Sequence, residues 1–436
     1  MLSSIRIQNF KSYRDATLHL APLTVLIGAN AAGKSNAIEA LHLLAWFANG
    51  NRLDQIRLEV QHSDRIIRGR VSNLGYRGAK KFELSCEVSD PDWYHFEVLL
   101  GLRKDDELHI VQERIVGSTS TFPLYEVVQK AKGIGRDILV AYNNFARGGR
   151  KPQVGCSDQM AVLTQLQSSA RFEGGHKKAQ KEIPAITSHF QKLLSGIMFL
   201  NPVPSAMRDY SFASRETLSS DGRNLSGVLY NLIHSRKSSK ENILEFVQSL
   251  PEQNIASIDF IITARREVMV SLTETFGGKK TRYDATLLSD GTLRVLAVAA
   301  AMLSAPKGSL VVIEEIDNGV HPSRVRVLLE RISKIAKDRD LRVLISSHNP
   351  ALLDALPSDS VPETVFCYRA PKDGSSRLVR LSDVPDYPEL IAQGTIGHLM
   401  TQGTLERFVK DHPGPEKRRK QAMKWLESLG VEEKEK

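Results

Sequence analysis

The eight residues at positions 28–35 constrain the fold of this chain more than any other part of its sequence. They read Gly-Ala-Asn-Ala-Ala-Gly-Lys-Ser, with a short apolar run (23–27) before them and apolar residues at helical spacing (34–48) after them. Glycines at both ends allow the backbone to wrap with its N–H groups pointing at phosphate oxygens. The sequence therefore predicts a strand, a phosphate-binding loop and a helix, in that order.

Individual residues of this loop have separate predicted roles. The Lys34 ammonium would contact the β- and γ-phosphates of a nucleotide and assist catalysis, and the Ser35 hydroxyl would ligate Mg²⁺. The N-terminus of the following helix adds a favourable field for an anion. We expect ATP, bound with Mg²⁺, to contact Gly28, Asn30, Gly33, Lys34, Ser35 and Asn36.

Two adjacent carboxylates follow a second apolar run much later in the chain. Residues 309–313 are apolar after Ser309 and lead directly into Glu314 and Glu315. A buried strand that ends in acids suits the metal-bound end of a nucleotide site. Glu314 would hold Mg²⁺ through water, and Glu315 would be the general base that activates the attacking water.

Two further motifs flank these acids. Residues 288–292 read Leu-Ser-Asp-Gly-Thr at the predicted start of a helix, where Ser289 is a natural N-cap. They resemble the signature motif of ABC ATPases, in which a serine and a glycine (here Ser289 and Gly291) grip the γ-phosphate of the nucleotide held by the other subunit. Residues 344–350 read Leu-Ile-Ser-Ser-His-Asn-Pro, the end of an apolar strand followed by His348. This histidine looks like the switch histidine that senses the γ-phosphate.

In this order, the four motifs resemble the ABC-type ATPase heads of the RecF and SMC group. Within that group they are most similar to stand-alone bacterial AAA-family ATPases, which are related to the ATPase domains of OLD proteins. Residues 5–13 look like the first strand and turn of the group, and by this resemblance Lys11 and Ser12 approach the nucleotide. Residues 314–322 are similar to its acidic strand and dimer-contact loop.

The resemblance implies an α/β fold of the P-loop NTPase class, an ABC-type head of two sheet lobes with an inserted, mostly helical subdomain. We expect the phosphate-loop lobe over 1–115, the helical insertion over 116–255, the lobe with the other motifs over 256–380 and an extension over 381–436. Strands and helices alternate in the third of these parts, which predicts a largely parallel sheet. We recognise no nuclease metal set in the extension.

The same resemblance implies a homodimer or higher oligomer that closes around ATP. Closure would act as a switch on DNA or on a separate effector protein, in DNA repair or anti-phage defence. Two alternatives stay open: the nucleotide-binding subunit of an ABC transporter, and a nucleotide-gated binding protein with little hydrolysis. Glu314 stands where most ABC ATPases have Asp, and Asp290 adds a carboxylate beside the γ-phosphate grip. Both departures favour slow turnover.

The glutamine of the Q-loop, a feature of ABC ATPases, has no single candidate in this sequence. Gln112, Gln129 and Gln153 are all possible, and none has a convincing context. The lack of a clear candidate is one argument against the transporter alternative. A GTPase is not expected either, because no Asn-Lys-x-Asp motif for reading the base occurs.

The apolar runs, cysteines and net charge of the chain limit where the protein is expected to function and what it contacts. No apolar run among the 436 residues is long enough to cross a bilayer, and the first residues lack the pattern of a secretory signal, so we expect no membrane association. The 3 cysteines are far apart, which predicts a cytoplasmic protein without a disulfide framework. A net charge of +9 is compatible with contact to DNA and equally with ordinary solubility.

Overall fold

The computed structural model describes residues 1–57, 66–118, 120–131, 135–235, 237–248, 254–316, 322–411 and 423. In chain order its strands are β1 (Leu2–Phe10), β2 (Tyr13–His19), β3 (Leu23–Ile27), β4 (Lys81–Val88), β5 (Trp93–Leu102), β6 (Leu108–Gly117), β7 (Tyr125–Gln129), β8 (Asp137–Tyr142), β9 (Gln153–Ser157), β10 (Met198–Leu200), β11 (Ser211–Phe212), β12 (Ile255–Ile262), β13 (Glu267–Phe276), β14 (Lys279–Asp284), β15 (Leu310–Glu314), β16 (Arg342–Ser346), β17 (Val365–Arg369) and β18 (Ser376–Arg380). Its α-helices are α1 (Lys34–Ala48), α2 (Val162–Gln165), α3 (Lys177–Ser195), α4 (Pro204–Met207), α5 (Leu225–Ser235), α6 (Lys237–Val247), α7 (Asp290–Ser304), α8 (Pro322–Asp338), α9 (Pro350–Asp354), α10 (Tyr387–Ala392), α11 (Ile396–Thr401) and α12 (Thr404–Asp411).

One large sheet contains 14 strands in the order β10-β15-β16-β3-β17-β18-β2-β1-β4-β5-β6-β7-β8-β9. The five strands from β10 to β17 in this order run parallel. The strands from β2 to β9 pair antiparallel. β3, β15 and β16 are nearly continuous apolar runs because both of their faces are covered. The order places β3, which precedes the phosphate loop, between β16 and β17.

Two apolar clusters cover the two faces of the parallel strands. Along β3, Leu26 joins the first cluster, whereas Val25 and Ile27 join the second, as the alternation of side chains in a strand requires. The first cluster contains the apolar side chains of α1 and α3. The second contains those of α7 and α8. Helices on both faces therefore confirm the predicted α/β class and hold the ends of the parallel strands at one edge.

A smaller sheet of β11, β13 and β12, with β14 paired to β13, shares the second cluster. β13 and β14 form the hairpin that the glycines at 277 and 278 suggest. Gly277 and Gly278 have φ values of 54° and 79°, and Phe276 pairs with Lys279 across them. A two-residue turn with both φ angles positive matches the twist of the flanking strands. The hairpin leads into the loop before α7.

The segment 116–255 differs from the mostly helical insertion that we expected. Its first part forms β7, β8 and β9, which extend the large sheet, and its α-helices begin only at Val162. Buried and exposed residues alternate in these short strands, and the glycine-rich basic stretch 147–151 is a hairpin loop between two of them. Such short strands gain their stability from neighbours distant in sequence, which helical periodicity does not register. The domain boundaries themselves stay predictions, and residues 317–321 of the expected dimer-contact loop lie outside the described residues.

Candidate nucleotide site

The loop between β3 and α1 has a backbone that only glycine accommodates at two positions. Gly28 has φ 148°, and a Cβ there would lie 2.1 Å from the carbonyl oxygen of Cys367. Gly33 has φ 126°, and a Cβ there would lie 2.4 Å from the hydroxyl of Ser376. Both glycines therefore combine a left-handed φ with close approach of the neighbouring strands β17 and β18. The loop is fixed in shape by residues far away in sequence.

The Lys34 side chain lies over this loop. Its Nζ donates hydrogen bonds to the carbonyl oxygens of Gly28 at 2.5 Å and Ala29 at 3.1 Å. Burial lowers the pKa of the Lys34 ammonium, while Cys367 and Glu315 act in the opposite direction. A half-buried cation held mainly by neutral carbonyls gains strongly from an approaching anion, because the anion offsets the lost hydration.

A cavity of about 350 Å³ lies above the loop. It brings together most of the residues that the sequence motifs single out: Asn30, Gly33, Lys34, Ser35, Asn36, Glu314, Glu315 and His348. The strand register explains this convergence, since Glu314 pairs with Ser346 of β16 and Ser346 pairs with Leu26 of β3. The carboxyl ends of three parallel strands thus reach one edge of the sheet, where ligands bind in open α/β sheets.

The two adjacent acids occupy different environments within the cavity. Burial raises the pKa of the Glu314 carboxyl, and Arg68 lowers it in partial compensation. Glu315 has a positive φ of 51°, and its backbone N–H donates to the carbonyl oxygen of Ser346 at 3.2 Å. A left-handed conformation is uncommon for a residue with a Cβ and is typical of functional positions that the surrounding structure holds in place.

His348 is exposed at the mouth of the same cavity. The chain around it is anchored on both sides. The Ser347 N–H donates to the Leu26 carbonyl at 3.2 Å, and the Asn349 N–H donates to the Ser347 hydroxyl at 3.0 Å. Asn349 also caps α9 by accepting from the Ala351 N–H. The imidazole is therefore presented from a rigid turn.

Lys11 and Ser12 lie beside the phosphate loop, in a neighbouring cavity of about 530 Å³. The Ser12 hydroxyl accepts from the Asn36 side-chain amide at 2.7 Å and from the Ser376 hydroxyl at 2.8 Å. Lys11 pairs with Glu39 and donates to the Arg68 carbonyl oxygen at 2.9 Å. Within the described part of the chain, Ser12 thus braces the loop and Lys11 is engaged by a carboxylate.

Ser289 and Gly291 begin α7 and are not among the described residues that line the phosphate-loop cavity. Ser289 is exposed, and its hydroxyl accepts from the Thr292 N–H at 3.1 Å, as an N-cap does. The Arg208 guanidinium donates to the Asp290 carboxylate at 2.8 Å and to the Leu288 carbonyl at 2.9 Å. The N-cap residue of α7 is therefore exposed and lies outside the phosphate-loop cavity of its own chain.

Two residues that line the cavity, Arg68 and Arg369, lie outside the sequence motifs. Arg68 ion-pairs with Glu39, which also binds Lys11, and lies near Glu314. Arg369, at the end of β17, donates from Nε to the Ala31 carbonyl at 3.2 Å. The sequence carries one faint signal for Arg369, a cation directly after an apolar run, but nothing local shows that β17 lies beside β3.

The donor set at this edge suits Mg²⁺. The Ser35 hydroxyl and the Glu314 carboxylate line the same cavity, and Mg²⁺ typically takes one or two such oxygens, several waters and substrate phosphates. In the described residues, no group of three or more His, Cys, Asp or Glu side chains could hold a metal by itself.

Two family models match the chain. Residues 1–118 match the family described as "AAA ATPase domain". Residues 169–354 match the family described as "AAA domain, putative AbiEii toxin, Type IV TA system". The first match contains the phosphate loop, and the second contains the signature residues, both acids and His348.

Several proteins are similar to this chain in sequence. An "ATP/GTP phosphatase" of Helicobacter pylori is 21% identical over 382 residues, which cover 82% of this chain and 87% of that protein. The "DNA replication and repair protein RecF" of Symbiobacterium thermophilum is 34% identical over 86 residues, 20% of this chain and 23% of that protein. RecF of Gloeobacter violaceus is 49% identical over 45 residues, 10% of this chain and 12% of that protein.

Solved SMC heads are among the structures to which this chain is similar. An SMC head bound to the C-terminal winged-helix domain of ScpA has 12% identity and a TM-score of 0.47, covering 87% of this chain and 97% of that one. The SMC head of Thermotoga maritima has 12% identity and a TM-score of 0.38, covering 87% and 98%.

The phosphate loop, the acids that face it and the helix-covered parallel sheet are the arrangement of P-loop ATPases, here with the motif order of the ABC type. The matches to AAA-family domains and to RecF confirm the resemblance to RecF/SMC-like ATPases, for which ATP binding and hydrolysis are the general activity. None of the helices in the described ranges combines the length and apolarity needed to cross a lipid bilayer.

Proposed function

We propose that this chain binds Mg²⁺-ATP on its phosphate loop and hydrolyses it slowly in a site completed by α7 of a second copy. One observation carries the proposal: Lys34, Ser35, Glu315 and His348 share a cavity, whereas Ser289 begins an exposed helix N-terminus outside it. A nucleotide bound between two copies would use both halves of the motif set.

The proposed reaction gives a role to five residues of the cavity. The backbone N–H groups of the loop and Lys34 bind the phosphates, and Ser35 and Glu314 would hold a magnesium ion. Glu315 orients and deprotonates the attacking water, and His348 donates a hydrogen bond to the γ-phosphate. Catalysis here is positioning and electrostatic stabilisation, as for phosphoryl transfer in general.

The exposed start of α7 is suited to contact a γ-phosphate from outside. The N–H groups of the first helical turn and the Ser289 hydroxyl are hydrogen-bond donors, and the helix dipole favours a negative ligand. Asp290 would oppose an anion, but its ion pair with Arg208 reduces that repulsion. The arrangement supports a head-to-tail dimer whose two sites each combine residues of both copies.

We further propose that closure of this dimer switches contact with DNA or with a separate effector protein, in DNA repair or anti-phage defence. The similarity to proteins named for DNA replication and repair favours this role, and the net charge of +9 is compatible with it. A role as a nucleotide-gated binding protein with little hydrolysis remains the second candidate. The carboxylate of Asp290 beside the γ-phosphate position favours that candidate over the transporter subunit.

The decisive experiment measures mass by size exclusion with light scattering, with and without ATP and Mg²⁺. We compare wild type, Glu315→Gln, Ser289→Arg and, as a matched control, Glu330→Gln on the exposed side of α8. The proposal expects an ATP-dependent increase in mass that is most complete for Glu315→Gln, normal for Glu330→Gln and absent for Ser289→Arg. Steady-state turnover in the same fractions distinguishes the slow ATPase from the nucleotide-gated binder. A mass that does not respond to ATP in any variant would refute the shared site.

A further inference from the structure

The loop between β8 and β9 and the start of α3 form a cluster of positive charge far along the sheet from the phosphate loop. Its members, called the basic ridge below, are Arg147, Arg150, Lys151, Lys177, Lys178 and Lys181. All except Lys151 are exposed, and Lys151 is half-buried. Among the described residues, none of the six has a carboxylate within ion-pair distance.

Contacts between the loop and the helix hold the two parts of the ridge together. The Lys178 ammonium lies 4.6 Å from the centre of the Phe145 ring. The Tyr142 hydroxyl at the end of β8 lies 2.9 Å from Nδ1 of His176, which directly precedes α3. The ridge is thus one surface, and its geometry is set by packed aromatic rings.

The loop itself is internally ordered. Lys151 donates to the Asn144 side-chain oxygen at 3.2 Å and to the Ala146 carbonyl at 3.0 Å, and the Asn143 side chain accepts from the Phe145 N–H at 2.8 Å. These bonds fix the turn that carries Arg147 and Arg150, neither of which makes a side-chain hydrogen bond recorded in the described residues. The two guanidinium groups are therefore presented to solvent from a defined loop.

The placement of these cations is unfavourable for the protein alone. Three lysines stand in the first two turns of α3, where the helix dipole disfavours positive charge, and no acid occupies its first turn. Like charges on one surface also repel each other. Two acids lie close to them, the exposed Glu173, which faces His176 at 3.8 Å, and the half-buried Glu182 in the second turn of α3. Such a surface becomes favourable once a polyanion neutralises it.

Two cavities border the loop, one of about 720 Å³ and one of about 400 Å³, and both are lined by Arg150, Lys151 and Gln153. Cations on both sides of one loop fit a ligand with charges repeated along its length better than a single small anion. Lys151 lies over the Phe122 ring and Lys178 over the Phe145 ring, so that on each ring a cation occupies one face that a stacked base would need. This favours a paired duplex over a single strand.

We propose that the basic ridge binds the phosphate backbone of double-stranded DNA without reading its sequence. The inference rests on the proposed contact with DNA and names the surface that makes it. Binding at this surface does not require dimerisation. Binding through phosphates releases counterions, so affinity should fall steeply with salt.

The test measures binding of a short labelled DNA duplex of mixed sequence by fluorescence anisotropy over a series of salt concentrations. The variant is Arg147→Glu/Arg150→Glu. The matched control is Lys279→Glu/Lys280→Glu, the same change of charge on the exposed β13–β14 hairpin. We expect the ridge variant to bind roughly tenfold or more weakly and its salt slope to fall by about 2, because two phosphate contacts are lost. The control should keep the wild-type affinity within about twofold.

Glu173→Gln provides a second variant whose expected effect cannot come from misfolding. Removal of this acid should tighten duplex binding by about twofold, since one repulsive charge is gone. Equal affinity of wild type and the ridge variant, or a wild type that binds polyglutamate but not the duplex, would overturn the proposal. ATP turnover and ATP-dependent mass are recorded on the same samples. If wild type shows neither ATP turnover nor an ATP-dependent mass, the proposed function is contradicted. The DNA-binding measurements alone then decide whether the basic ridge binds duplex DNA.

Discussion

The Arg208 guanidinium lies 2.8 Å from the carboxylate of Asp290, the residue directly after the signature serine. The pair joins the end of α4 to the first turn of α7 and is partly exposed, with 30% of the Arg208 side chain and 63% of the Asp290 side chain accessible. A negative charge at this position would oppose a γ-phosphate, and Arg208 is the group that offsets it. If α7 contacts the nucleotide as proposed, the pair would set how strongly the start of this helix binds an anion.

Arg208→Ala should therefore weaken ATP-driven assembly while changing stability little. We expect several-fold more ATP to be needed for half-maximal dimer formation, and a change in unfolding free energy below about 1 kcal/mol, because the pair is exposed. Light scattering over an ATP titration measures the first effect and thermal denaturation the second. Arg6→Ala, which breaks another exposed Arg–Asp pair at 2.8 Å, is the control. Asp290→Asn added to Arg208→Ala should restore assembly, and failure of this rescue would contradict the electrostatic explanation.

Gly28→Ala should damage both the fold and the nucleotide site. The Cβ would meet the Cys367 carbonyl oxygen at 2.1 Å in a backbone conformation with φ 148°. We expect a loss of about 1–3 kcal/mol of stability and of ATP binding, since the loop must shift away from β17. Gly155→Ala in β9 is the control, because a Cβ there has nothing within 4 Å. Denaturant unfolding measures the stability of the two variants, and a fluorescent ATP analogue measures their nucleotide binding. Equal stability of the two variants would argue against the strained contact.

Lys34→Met should weaken ATP binding strongly without unfolding the chain. The ammonium is half-buried with a lowered pKa, so methionine, of similar length and without charge, is tolerated by the fold. Loss of a charged contact to the phosphates should weaken ATP affinity by roughly ten- to hundredfold. Calorimetric titration with Mg²⁺-ATP gives the affinity, and Lys307→Met at an exposed site serves as the comparison. Wild-type affinity in Lys34→Met would place the nucleotide elsewhere.

Glu113 should make stability depend on pH. Burial raises the pKa of its carboxyl from 4.5 to about 7, although the N–H groups of Val162 and Leu163 and the Tyr125 hydroxyl donate to it. The folded chain therefore holds this proton more tightly than the unfolded chain, and the resulting stabilisation is complete below pH 4.5 and lost as pH rises toward 7. Relative to Glu113→Gln, which cannot titrate, wild type should lose stability across this window in thermal denaturation. Parallel pH profiles for the two proteins would show that Glu113 titrates normally.

The sequence predicts the part of the site that local chain geometry determines. The phosphate loop lies between a strand and a helix in direct succession, so its residues and the extent of α1 could be inferred from 23–48 alone. The acids Glu314 and Glu315 and the imidazole of His348 end apolar strands, and parallel strands bring such ends together. The positions of these residues could be predicted from a parallel sheet alone, without knowing the order of its strands.

What the sequence could not predict depends on pairing between distant segments. Arg369 reaches the phosphate loop only because β17 pairs with β3, and Arg68 only because Glu39 of α1 binds it. The strands β7, β8 and β9 were missed because short strands are stabilised by neighbours rather than by local propensity. Sequence periodicity does not show which distant strands pair or which distant side chains bind each other.

The position of β3 between β16 and β17 also governs when the phosphate loop can exist during synthesis. β3 is made at Leu23–Ile27, whereas its two neighbours start only at Arg342 and Val365. Until those strands are made, both edges of an apolar strand lack their partners, and such edges recruit other strands. The nascent chain therefore has to shield β3 while the intervening residues are synthesised, and the phosphate loop reaches its final shape only after β17 has formed.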